Sequence, residues 1–438
     1  MSKGRHRRLK PIGKLIIFGA IAIIITILAV ITFFVSKSFT SDKTESVPSS
    51  SSSSLSEGTT STSESQTKED TSVGTTEATT GNTVKLNGEC NTFGGYTAVF
   101  VANGGNTTKE GSYFSDAGLD VTVNIEDNDD VIIQDFIDGK IDFFYMTVNK
   151  MALVTKQLED AGVQAIIPYL TDTSTGGDGI VANEQFQSID SLQNTKIAMA
   201  RNSVSTAIPV WFLNQSGLDS TVVQNIINNF ELYDSTQEAV QAFTNGEAGA
   251  VSTWDMTSAL SAENSHVLFS TEDGQYLVID ALIVNKQFAD ENPEAVKALV
   301  DGTITAVNDM NNGSNVEQAY QTIRDSVPDF ADYDDATMQD VLNDTKYLGY
   351  KKNIEVFDIA KQIYSDFCQV WQQLGFETNP DYVPQSFDDS YLKELSSKWA
   401  NEQEQVEEDV VATQQNTEDR EALISRTVQL LFEPNSAE

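Results

Sequence analysis

The chain has 438 residues, more than one ordinary domain accommodates, so two or three units are expected once non-globular segments are set aside. Its formal net charge of −38 comes from 65 acidic against 27 basic residues, and Lys3, Arg5, Arg7, Arg8, Lys10 and Lys14 lie in the first 35 with no acid among them. The rest is therefore more acidic still, a surface that repels phosphate backbones and excludes nucleic acid as a partner.

Residues 1–14 form the basic segment, and residues 15–35, LIIFGAIAIIITILAVITFFV, follow without a charge. A run of that length spans the ~30 Å hydrocarbon core as a helix. The preceding lysines and arginines hold the N-terminus in the cytoplasm and place the remainder outside, as a single-pass membrane protein. A cleaved signal has a shorter apolar core and a small-residue cleavage site, and neither is visible. From 36 to 83 Ser, Thr and Glu dominate, which predicts a disordered stalk that buries no core.

At Val84 short apolar strands begin to alternate with helical patterns, the signature of an α/β fold with a covered sheet. The segments VKLNGEC, LDVTVNIE, IDFFYM and VQAIIPYL form one set of strands. A second set begins at DGIVAN and runs through KIAMA, FELYD and AGAVSTW, after which YLVIDALIVNK resumes the strand reading. Two lobes are expected, one discontinuous (84–175 and 275–399) and one inserted (176–274). Helices dominate from Pro293 to Trp399. Residues 400–424 read as an acidic linker or helix. Residues 425–438 switch to a strand pattern with nothing behind it, which implies that the sequence continues. Cys90 and Cys368 fit no CxxC spacing, so no metal site is indicated and two buried free thiols are the expectation.

The segments FGGY (93–96), FIDGKIDFFYMT (136–147), GGDGIVA (176–182), IDSLQNTKIAMARNSVST (189–206), AVQAFTNGEAGAVSTWD (239–255) and FADENPEAVKAL (288–299) occur in this order over about residues 84–399. In order and spacing they resemble the nitrate/sulfonate/taurine class of substrate-binding proteins of ABC importers. The resemblance implies a two-lobed, type II periplasmic-binding-protein-like fold that takes a small anionic or sulfonate-like solute and delivers it to a permease. The terminal LLFEPNSAE resembles the opening of an OmpA-like domain, which implies peptidoglycan as a partner of a longer protein.

Candidate ligand contacts lie where strands end. Phe93, Gly95 and Tyr96 follow the first strand; glycine admits close backbone approach, while the aromatics either close over a ligand or fill the core. Thr147, after the strand that follows Gly139, is a ligand contact or a helix cap. Arg201, Ser203, Ser205 and Thr206, with Asn202, precede a helix whose free N–H groups suit an anion, although hydroxyl residues also cap helices without one. Ser174, Thr175, Gly176 and Asp178 sit at the expected crossover, as hinge, contact or plain polar loop. Trp254 and Asp255 match a Trp-acidic pair of the resembled class, or Trp254 only packs.

Glu126 to Asp130 lack the glycine and closing glutamate of a calcium loop, so a solvated turn is expected. No GxSxG, Walker A or HExxH segment occurs and only His6 and His266 are present, so neither catalysis nor a cofactor is expected. The competing reading is a cell-envelope tether or wall-associated interaction protein whose receptor-like domain binds no solute.

Overall fold

The computed structural model describes residues 83–401 apart from 273, 275, 312, 314, 344 and 383–385. The expected spanning segment at 15–35, the stalk up to residue 82 and everything after residue 401, including the OmpA-like stretch, lie outside the described residues. Among the described residues no helix is long and apolar enough to cross a membrane.

Eleven strands among these residues form two sheets. The first has the order β11-β4-β10-β3-β1-β2 and is built from β1 (Val84–Cys90), β2 (Leu119–Ile125), β3 (Phe143–Thr147), β4 (Ala165–Ser174), β10 (Ile279–Asn285) and β11 (Thr345–Tyr347). β1 pairs in parallel with β2 and β3, whereas β10 runs antiparallel between β3 and β4. Every residue of β4 is buried, as is β10 up to its last residue, which is why both read as nearly continuous apolar runs covered on two faces.

The second sheet has the order β7-β6-β8-β5-β9, from β5 (Gly179–Asn183), β6 (Ile197–Ala200), β7 (Phe230–Tyr233), β8 (Ala250–Thr253) and β9 (Ser265–Ser270). The chain leaves the first sheet after Ser174 and returns to it at Ile279. Two strands were not anticipated. β9 opens on Ser265 and His266, which hide its strand pattern, and β11 is three residues among helices; both are sheet edges.

Helices cover the sheets and tie them together. Val148–Asp160 packs on Tyr350–Gln373, where Trp371 Nε1 donates to the Asn149 carbonyl at 2.9 Å. The Asn149 side chain in turn donates to the Leu277 carbonyl at 2.9 Å, fixing the returning chain. Helix Val204–Gln215 follows β6 in the second sheet, yet Val204, Ala207, Ile208 and Trp211 belong to the core of the first. Cys90 and Cys368 are both buried free thiols, as expected.

Candidate functional site

The strand directions gather one set of strand ends. β1, β2, β3 and β4 run the same way and β10 opposes them, so the carboxyl ends of the four meet the start of β10. In the second sheet β6, β7 and β8 are parallel, and the start of β5 and the end of β9 lie at their carboxyl edge, where Gly179 pairs with Thr253 and Ser270. Both crossings therefore join carboxyl edges, the location where open α/β sheets bind ligands. Thr271 clasps the crossings: its Oγ1 accepts from Gly176 N at 2.9 Å and Asp178 N at 3.3 Å and lies 2.9 Å from Ser174 Oγ.

On the first sheet a polar row crosses four strands. Tyr347 stands opposite Asp172, Asp172 opposite Asp280, and Asp280 opposite Thr147, so these side chains share one face. Asp172 and Asp280 are 0% and 1% exposed. The Tyr96 hydroxyl donates to Asp280, and Thr171 Oγ1 donates to Asp172 Oδ2 at 3.0 Å, while Asp172 Oδ1 has no partner. Burial first, and then the charge of Asp280, push the Asp172 carboxyl well above the usual carboxylate range. Burial also raises Asp280, against the bond from Tyr96, so the pair favours one shared proton.

Asp178 joins them from the crossing segment. It is buried, its Oδ1 has no partner, and burial pushes its carboxyl up to about 6 against a bond from Ser174. Tyr96 is held in place by the ring of Phe93, edge-on at 5.2 Å, and by Tyr145, stacked at 5.4 Å. Its own hydroxyl is raised well above the ordinary range by burial and then by Asp280.

The second sheet offers a helix start. Ser203 is the N-cap of Val204–Gln215, but its hydroxyl donates back to the Ala200 carbonyl at 2.9 Å, as does that of Thr206, leaving the helix without a side-chain cap. Ser205 is 1% exposed and its hydroxyl has no partner. Pro209 has no N–H to give to the Ser205 carbonyl four residues back. Asn202 reaches this turn through a left-handed backbone at φ 53°.

Residues 104–313 match the family model described as NMT1/THI5 like. The structure is similar to the periplasmic aliphatic sulphonate binding protein SsuA from Escherichia coli, at 15% identity over 71% of this chain and 99% of that one, with a TM-score of 0.53. It is similar to the periplasmic sulfonate-binding protein SsuA from Methylobacillus flagellatus KT at 14% identity, 73% and 96% coverage and a TM-score of 0.54. The periplasmic nitrate-binding protein NrtA from Synechocystis PCC 6803 gives 11%, 72% and 89%, and 0.52. No curated protein matches the sequence. The fold is that of the periplasmic binding proteins. At these identities the likeness is one of fold.

Several residues singled out from sequence serve local structure within that binding-protein fold. Thr147 is a half-buried N-cap that accepts from Lys150 N at 3.1 Å, and Asp255 likewise caps Met256–Leu260 by accepting from Ser258 N at 3.1 Å. Arg201 does not lend an uncommitted charge to the helix start: its Nε donates to Asp234 at 2.8 Å on an exposed surface. Thr175 is exposed, and Trp254 is 45% exposed just past the carboxyl end of β8. Asp172 and Asp280 went unrecognised in the sequence. Their signal was a charge inside AIIPYLTDTS and YLVIDALIV, runs otherwise apolar enough for a doubly covered strand. Among the described residues no group of three His, Cys, Asp or Glu is arranged to hold a metal ion.

Proposed function

We propose that this chain is the solute receptor of an ABC-type importer, tethered at the outer face of a membrane by residues 15–35. It closes its two lobes (84–175 with 275–399, and 176–274) over a small solute and presents the closed form to a permease. The observation that carries the reading is the gathering of buried polar groups from both sheets, Tyr96, Asp172, Asp178, Asp280 and Ser205, at edges joined by two crossings. Ordinary cores pair such groups or omit them. A ligand that touches both lobes favours the closed state by its differential affinity for it. The uncapped helix start at Ser203 suits an acidic or sulfonate-like head. No turnover is proposed.

A second reading, an envelope tether with a receptor-like domain that binds nothing, draws on the near-complete burial of Asp172 and Asp280. Small-angle scattering and calorimetry on the full chain separate the two. A receptor contracts on saturation with its solute and loses affinity at least tenfold in Ser205→Ala; a profile unchanged by every solute that binds would sink the closure mechanism.

A further inference from the structure

We propose that the solute carries a protonated nitrogen, seated by Asp172, Asp280 and Asp178 at the floor of the cleft. The inference rests on the receptor reading above. Asp172 and Asp280 face one another in register on neighbouring strands, where two negative charges would repel and a shared proton relieves them until a cation takes its place. Among the described residues no ion pair reaches either. The nearby ammonium of Lys150 is committed to Asp129, whose charge is itself felt at Asp280 and Tyr96. Asp172 Oδ1, at 0% exposure, takes no donor from the described residues beyond the proton it shares with Asp280.

Asp178 is an independent observation, because it comes from the crossing segment and not from the strand pair. It too is buried, with an oxygen that has no partner, and its charge acts on both strand carboxylates. Tyr96 completes the floor with a hydroxyl directed at Asp280, and Tyr347 flanks Asp172. Buried carboxylates of this kind are stable when an opposite charge with hydrogen-bond donors meets them. An ammonium supplies three N–H donors and one charge. The three acids are not arranged to hold a metal ion, which points to an organic cation. The proton shared by Asp172 and Asp280 passes to the buffer as the cation enters, so charge is conserved at the site. A head group at the Ser205 helix start and a cationic nitrogen at these acids make the expected solute a zwitterion or an amine.

The test is calorimetry of the full chain at pH 7.5 with 1,4-diaminobutane, 3-aminopropanesulfonate, propanesulfonate and nitrate, in phosphate and in Tris. The expected result is that an amine-bearing probe binds at least tenfold more tightly than propanesulfonate. Its heat should differ between buffers in the sense of proton release. Asp172→Asn and Asp178→Asn, each checked for folding by circular dichroism, should lower that affinity at least tenfold. Propanesulfonate or nitrate binding as tightly as the amines, undiminished by either variant, would overturn the cation seat while leaving the receptor standing. Silence from all four probes would remove the receptor reading and the seat with it.

Discussion

A methyl group at Gly95 would lie 2.2 Å from Asp172 Oδ2 and 2.6 Å from Phe93 Cε1, closer than any real Cβ contact. Gly95→Ala must therefore displace the carboxylate or the turn that carries Tyr96. It is expected to cost about 1–3 kcal/mol by overpacking, read as a lowered midpoint in urea, and to weaken solute binding as well. The FGGY segment was legible as a turn after the first strand, with its aromatics either closing over a ligand or filling the core, and Tyr96 is buried at 3% exposure. Asp172 and Asp280 were not, because one sequence does not reveal that residues 108 positions apart become cross-strand partners. The Arg201 ion pair was hidden for the same reason: its partner Asp234 lies on the adjacent strand end, brought there by the parallel pairing of β6 and β7. Residue type proposed the chemistry, and pairing decided which charges were already satisfied.

At the level of elements, the strands with strong apolar runs and the long helices were visible in outline, whereas β9 and β11 were not. Both lie at edges, where partial exposure or shortness erases the alternation that identifies a strand. The helix Val204–Gln215 was legible as a helix but not as a bridge, since its burial on nearly all sides depends on elements from the other sheet. Among the described residues, Thr271 bonds three groups of the other crossing through its hydroxyl. Thr271→Val keeps the shape but withdraws the acceptor from Gly176 N and Asp178 N. Leaving buried donors unmade costs about 1–3 kcal/mol, so a drop in thermal midpoint is expected. An unchanged midpoint would mean that solvent replaces the hydroxyl and that the clasp contributes little.

For the molecule as a whole, the buried acids couple stability to pH in a direction opposite to that of salt-bridged carboxylates. Burial raises the folded-state Asp178 carboxyl from its ordinary 3.8 to about 6, so the folded chain binds more protons than the unfolded one between those values. Its contribution is thus neutral near pH 4, becomes unfavourable as pH rises towards 6, and stays so above. Asp178→Asn removes the penalty. The variant is expected to exceed the parent at pH 7 by up to about 3 kcal/mol and to match it near pH 4, measured as the difference between two urea melts at each pH. A difference independent of pH would show that Asp178 is solvated when folded.

The position of β10 carries a consequence for the order of synthesis. It lies between β3 and β4 in space, yet about a hundred residues of the second sheet are made between β4 and it. A chain emerging amino end first therefore holds β3 and β4 without the strand that joins them until the inserted sheet has been translated. Asp280 arrives on that joining strand, directly opposite Asp172. The pairing of Asp172 with Asp280 is therefore out of reach of a nascent chain that ends before residue 279, whatever the state of the strands made earlier.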